Sequence, residues 1–447
     1  MPTFLDRIRR HLDDHESHHR RIAIEFVWVG LFVLVGRLAG AAKEMAIAWR
    51  YGVSETVDAY VFVFNLVNLP VSIWFSVLTV VLLPLVAKVH NDNPSDLPRF
   101  RGELLGLTLA AGAVLGGLTY AGLPVLLNTG WAGFSGAALQ QALRMAGPLT
   151  LLLPMGLVIS LFSAWMMANG HHRNTLLEAL PALAILGALL MPPGWVPEPL
   201  IWGSVAGFGL QLAGLGWPLQ RSGELQRPAL GFQSPAWKGF WGSFGIMALG
   251  QAWMSVTGVI DQFFAAQLGA GAISTLSYAN RIVALFVSLG AMAISRSTLP
   301  IFSELASQGK DSEIRVMARH WTKLMFVFGV LVMGVTWWLA PWMVELLFQR
   351  GAFNADDTSA VAELMRYLLM QLPFYFSGIV YISLLSAQMK FAVIQWVACS
   401  NLVVKILTMA LLTPILGITA IALSTSIMYL ASMLMLFVFF IRAARNA

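Results

Sequence analysis

The chain has 447 residues, of which 58% are hydrophobic and only 11% are charged, and its mean hydropathy is +0.73. Soluble domains carry about 25% charged residues, so the composition excludes a water-soluble enzyme and makes lipid the solvent for most of the surface. The net charge of +6 reflects 28 Lys and Arg against 22 Asp and Glu, and the single Cys399 excludes an internal disulfide and a cysteine metal cluster.

Windows of about 20 residues predict apolar spans at 22–42, 59–88, 103–127, 140–168, 175–191, 199–219, 239–267, 271–303, 321–346, 358–387, 393–413 and 416–441. This is the pattern of an all-α polytopic membrane protein with about twelve transmembrane helices. The head before the first span holds Arg7, Arg9, Arg10, Arg20 and Arg21. It lacks a signal peptide's short core and cleavage site, so the first span is expected to stay attached. Lys and Arg gather in the head, in the 89–102, 220–238 and 304–320 segments, and at Arg173, Lys390, Arg442 and Arg445. The alternate loops hold little beyond Arg50 and Arg350. The positive-inside rule then places both termini in the cytoplasm, and the basic balance needs no nucleic acid to explain it.

An internal repeat divides the spans in two. Gly52 precedes Pro84 by 32 residues and Gly269 precedes Pro300 by 31, while Pro154–Asn169 and Pro373–Gln388 are both 15 apart. The implied organisation is a basic segment 1–21, a six-helix half 22–219, a linker 220–238, a second six-helix half 239–441 and a tail 442–447. Because six is even, both halves enter from one side, so their pseudo-two-fold axis should run along the membrane normal. Trp237, Phe240 and Trp241 at the linker's end suit an interfacial position.

Charges inside the spans are costly, about 2.5–3.5 kcal/mol each on insertion scales, so each is expected to line a cavity or find a partner. Arg37 and Glu44 share a helix face; either they pair, with Lys43 snorkelling outward, or Arg37 and Lys43 bind phosphate. Asp58 is either a cavity group or a carboxylate at the positive end of its own helix. Asn65, Asn68 and Pro70 are expected to break the second span and face inward. Asn280 and Arg281 sit too deep to snorkel, which gives Arg281 a cavity role. Glu363 and Arg366 read as a local pair. Asp261 and Lys405, on separate helices, either pair with each other or form a coupling-ion site. His11, His15, His18 and His19 have helical spacing in a charged head, the mark of a solvated amphipathic segment rather than a metal site. The absence of P-loop, HExxH and GxSxG patterns leaves no basis for nucleotide, metal or serine hydrolysis. Neither cofactor nor metal is expected, and the chain reads as a transporter rather than an enzyme.

The stretch GRLAGAAKEMAIAWRYGVSETVDAYVFVFNLVNLP, with VIDQFFAAQLGAGAISTLSYANRIVALFVSLG and LLFQRGAFNADDTSAV, resembles the MurJ/MviN lipid II flippases of the multidrug/oligosaccharidyl-lipid/polysaccharide exporter superfamily. The resemblance covers most of residues 30–430 and implies alternating-access transfer of an undecaprenyl-diphosphate-linked glycan from the inner to the outer leaflet of the bacterial inner membrane. Glycan-assembly membrane proteins would be its partners. By the resemblance, Arg37, Lys43, Asp58 and Arg281 match cavity positions of the family. Asp261, Asn401 and Lys405 match a site that holds sodium in some members, with the Lys405 ammonium standing where the cation would be. The family's paired arginines of helix two are replaced around Val71 and Ser72, and Asn280 stands for an acidic residue. Family members usually have fourteen helices. Twelve spans therefore favour an exopolysaccharide-type repeat unit as cargo, with lipid II as the alternative. A drug antiporter would want acidic residues in its cavity, and a glycosyltransferase would want a catalytic cluster at an interface.

Overall fold

In the computed structural model the described residues are 33–92, 94–168 and 174–445. The basic head with its histidines, Glu25, the start of the first span and the His171-His172-Arg173 loop lie outside them. Among the described residues the regular structure is entirely helical. The helices are α1 (residues 33–51), α2 (Glu55–Asp92), α3 (Leu97–Asn128), α4 (Gly136–Thr150), α5 (Leu152–Ala168), α6 (Asn174–Leu177), α7 (Leu180–Leu190) and α8 (Pro199–Arg221). They continue with α9 (Ala236–Ala266), α10 (Ala272–Ser307), α11 (Asp311–Phe348), α12 (Ala355–Leu369), α13 (Leu372–Ala387), α14 (Phe391–Leu416) and α15 (Ile418–Arg445).

Among the described residues nine stretches are long and apolar enough to cross a membrane, α12 and α13 together forming one of them, and α4 with α5 makes a tenth across a 41° bend. The helix α1 and the 11-residue α7 occupy the two remaining predicted spans. At 1.5 Å per residue α7 is about 17 Å long, less than the hydrocarbon thickness. The protein is therefore an all-α, multi-pass membrane protein. Two compact units divide it, one drawn from residues 1–46, 78–115 and 151–242, the other from 47–77, 116–150 and 243–447.

The repeated residues mark backbone events. Gly52 and Gly269 adopt φ of +58° and +107°, a region that favours glycine, and each ends a helix just before a long span. The two Leu-Pro pairs open α5 and α13, directly after the breaks that follow α4 and α12, as suits proline in a helix's first turn. Pro70 behaves otherwise. The break expected around Asn65, Asn68 and Pro70 is not there: α2 runs unbroken over 38 residues. A proline removes one backbone hydrogen bond and bends a helix without having to end it, and Asn68 Nδ2 turns back to the Phe64 carbonyl at 2.8 Å.

Proline also explains an arginine. Pro341 lies within α11 and has no N–H to offer the Trp337 carbonyl four residues earlier. Arg366 of α12 supplies the donor instead, its Nε 3.3 Å from that oxygen. The local pair expected between Arg366 and Glu363 gives way to this contact, because a carbonyl without a donor is costly away from water. Replacing Arg366 by Met should destabilise the protein by about 1–3 kcal/mol. In a Pro341→Ala background, where the helix recovers its own N–H, the same replacement should cost much less. Thermal unfolding of the four proteins in detergent measures this coupling, and equal losses in both backgrounds would refute it.

Candidate functional site

A cavity of about 250 Å³ lies in the second unit among α2, α9 and α10. Its polar lining is Asn65 from α2, Asp261 and Gln262 from α9, and Ser277, Asn280 and Arg281 from α10. Helical periodicity builds these walls. Ser277, Asn280, Arg281 and Ala284 fall at i, i+3, i+4 and i+7 along one face of α10, and Gly258, Asp261 and Gln262 at i, i+3 and i+4 on α9. Drug-sized ligands occupy about 300–1,000 Å³, so this space suits a diphosphate or a single sugar ring and not a whole glycan. Arg281 supplies the positive charge, and the amides of Asn65, Gln262 and Asn280 supply donors and acceptors of the kind that meet phosphate oxygens and sugar hydroxyls.

Beside the cavity, Lys405 Nζ lies 2.8 Å from Asp261 Oδ2, with Lys405 only 3% exposed. The mutual pairing weighed from the sequence is thus present, and it ties α14 to α9. One turn before Lys405, Asn401 Nδ2 donates to Ser432 Oγ of α15 at 3.2 Å. Asp261 Oδ1, Gln262 Oε1 and Asn401 Oδ1 are buried acceptors without a hydrogen-bond partner. A buried ammonium surrounded by acceptor oxygens is held by charge, and removal of either partner would leave the other uncompensated.

Asp58 stands in the first turn of α2, as one of its two readings expected, and it has a further task. It is 3% exposed, and its oxygens accept the Gly271 and Ser274 backbone N–H groups, each at 2.6 Å. These amides belong to the start of α10, so the carboxylate caps a helix more than 200 residues away and leaves little capacity for a substrate. The neighbouring turns close on one another in the same way. The Tyr278 hydroxyl donates to the Gly52 carbonyl at 3.1 Å, and Ala352 N–H donates to the Trp49 carbonyl at 2.8 Å. A Cβ on Gly52 would come within 2.6 Å of the Ala352 oxygen. The turns after α1, α9 and α11 are thereby locked together by backbone contacts.

The remaining sequence candidates lie elsewhere. Lys43 pairs with Glu44 at 2.8 Å, so Glu44 engages its neighbour and Lys43 does not snorkel away from it. Arg37 is exposed on α1, in the first unit with Lys43. Asn68 lies on α2 beyond the cavity, in contact with its own helix. Gln262 and Ser277 went unnoticed in the sequence, although both stand at helical spacing from residues that were singled out. Trp237 and Phe240 were expected at the interface, yet they are 4% and 0% exposed. Phe100 of α3 packs edge-on to Trp237 at 5.2 Å, and Glu103 takes the indole N–H, which leaves only Trp241 facing outward.

The family model described as lipid II flippase MurJ matches residues 47–446. A probable lipid II flippase MurJ of Helicobacter pylori is 33% identical over 216 residues, 46% of this chain and 44% of that protein. The aligned part of the chain thus spans less than half the length of this curated relative. Among solved structures, a lipid II flippase MurJ in an inward closed conformation superposes with a TM-score of 0.79 at 17% identity, over 92% of this chain and 87% of that one. An inward-facing multidrug resistance MATE transporter of the MOP superfamily superposes with a TM-score of 0.76 at 12% identity, over 93% and 98%. These likenesses show the twelve-helix fold. The expectation of an exopolysaccharide-type cargo finds no support in them, because it rested on the count of spans alone, whereas the matching family and the curated relative are described as lipid II flippases.

Replacing Lys405 by Met should cost about 3–5 kcal/mol by leaving Asp261 buried and unpaired. The double replacement Lys405→Met with Asp261→Leu should recover most of that loss. Unfolding temperatures of the single and double variants decide it, and a double variant less stable than Lys405→Met would sink the pairing argument.

Proposed function

Because the chain belongs to the MurJ family, matched over residues 47–446, we propose that it is a lipid II flippase of the bacterial inner membrane, moving the undecaprenyl-diphosphate-linked precursor from inner to outer leaflet. The family match is the observation that carries this reading, and the cavity supports it chemically. The polyprenyl chain stays in lipid, so only the diphosphate and sugars need shelter. Arg281 meets the diphosphate through charge-assisted hydrogen bonds, with Arg37 and Lys43 of α1 as further cationic contacts during passage. Asn65, Asn280 and Gln262 orient the sugars. Asp58 acts by holding the α10 start rather than by touching the cargo.

Both termini then face the cytoplasm, where the basic segments gather. Coupling follows from Lys405. The buried ammonium already neutralises Asp261, so the transporter carries its own cation and needs none from solution. A head with about two negative charges moving outward across 100 mV, inside negative, gains about 4–5 kcal/mol if no counter-charge travels with it. Membrane potential is sufficient to drive transport on that scale.

Expression in bacteria whose own lipid II flippase is shut off should restore growth, and Arg281→Ala should abolish the rescue while leaving the protein in the membrane by immunoblot. Failure of the native chain to rescue growth when present in the membrane would overturn the reading. In proteoliposomes, turnover should follow an imposed potential and be unchanged when sodium is replaced by potassium. A requirement for sodium would refute the role given to Lys405.

A further inference from the structure

The chain between α8 and α9 is a strap fixed to the first turns of α3. Ala229 N–H donates to the Gly102 carbonyl at 3.0 Å. Glu103, 4% exposed, accepts the Gln233 and Ser234 backbone N–H groups at 3.1 and 3.2 Å and the Trp237 indole N–H at 2.6 Å. Ser234 Oγ reaches Asp96 at 2.5 Å, and Arg101 lies 3.8 Å from Glu224. So many cross-links hold the strap in one shape and define what it encloses.

Between strap and helix lies a cavity of about 710 Å³, whose polar side chains include Arg99, Arg227, Gln226 and Gln233. Its carboxylate, Glu103, is already engaged by three N–H donors, so the Arg99 guanidinium, 3.5 Å from it and half exposed, retains donors for another anion. Arg227 is exposed. Leu230, which lines the cavity, is 85% exposed, and next along the strap and at the start of α9 Phe232 is 59% and Trp241 45% exposed. Two arginines beside bare leucine and aromatic side chains match a molecule with an anionic head and an apolar body. The position fits as well. The cavity sits where the spans α3, α8 and α9 begin or end, and spans of this length place their ends near lipid headgroups, on the side that the basic segments assign to the cytoplasm. The inner leaflet there is rich in anionic lipid, and basic pockets at helix ends bind its headgroups.

We propose that the strap forms a binding site for an anionic phospholipid, distinct from the cavity between α2, α9 and α10, with the phosphodiester between Arg99 and Arg227 and the acyl chains against Leu230 and Phe232. The site does not depend on which cargo the protein carries. Each arginine near the surface contributes about 1 kcal/mol to attraction of an anionic headgroup. Removing both should therefore weaken binding about thirtyfold, since about 1.4 kcal/mol is a factor of ten.

Native mass spectrometry of the purified full chain, titrated with phosphatidylglycerol, phosphatidylcholine or inorganic phosphate, tests this. On the unmodified protein, phosphatidylglycerol should form adducts that phosphatidylcholine does not, and millimolar phosphate should not displace them. The Arg99→Gln/Arg227→Gln variant should lose these adducts, whereas Lys310→Gln, outside the strap, should keep them. Equal binding of the two lipids, displacement by free phosphate, or adducts that survive the double replacement would each overturn the proposal. The comparison of lipids on the unmodified chain stands even where the double variant fails to fold.

Discussion

Hydrocarbon offers no hydrogen-bond partner, so each polar group inside a spanning helix has to be satisfied by the protein itself. Among the described residues that constraint accounts for several of the charged side chains within the spans. Arg366 serves a carbonyl that Pro341 leaves without a donor. Lys405 serves Asp261, Lys43 serves Glu44, and Asp58 serves two amides at the start of α10. Each is a local solution to the same cost, and together they leave few groups over for a substrate. Arg281 lies on the face of α10 that lines the smaller cavity.

The solutions differ in what they tie together. Lys405 and Asp261 join two helices side by side, with a geometry that depends on one ion pair beside the smaller cavity. Asp58, Tyr278 and the turns around Gly52, Gly271 and Ala352 join helix ends through hydrogen bonds to backbone groups, in places that tolerate few side chains. Transport by alternating access requires contacts of both kinds: some that persist through the cycle and some that are made and broken. The Gly271 and Ser274 amides that Asp58 accepts are themselves buried, so these contacts are held out of water as the Lys405 pair is. A buried ammonium cannot separate from its carboxylate without meeting hydrocarbon. Asp58 and Lys405 are each 3% exposed, so the two kinds of contact differ in what they join and not in access to solvent.

How much of this was legible in the sequence depends on whether the signal is local. Apolar length shows directly, and so do the glycines at 52 and 269, because a helix end with positive φ has few alternatives to glycine. The Asp261–Lys405 pair was legible because unpaired charges in spans are rare enough to be matched by elimination. Pro70 was misread because a proline lowers helix stability by a fixed amount, while 38 residues of continuous helix supply far more. Asp58 and Glu103 were beyond reach for a different reason. Their partners are mostly backbone N–H groups 130 or more residues away, and a backbone amide carries no residue-type signature. Gln262 and Ser277 were within reach, at one helical turn or less from residues already chosen.

The strap shows the same principle from outside the hydrocarbon. Where the chain leaves the spans, water could satisfy its amides, yet Glu103 takes two of them and an indole N–H in the bargain. A flexible linker would have no use for such contacts, since each one orders chain at an entropic cost of about 1–2 kcal/mol per residue. The aromatic cluster of Phe100, Trp237 and Phe240 offsets that cost by burying apolar area, and in doing so it withdraws those rings from the interface. What remains at the surface is then a consequence of the fold: two arginines and three large apolar side chains near the helix ends. The order of the strap and the exposure of its rim are two consequences of one arrangement, in which the carboxylate on α3 fixes the backbone and the backbone fixes what faces the lipid.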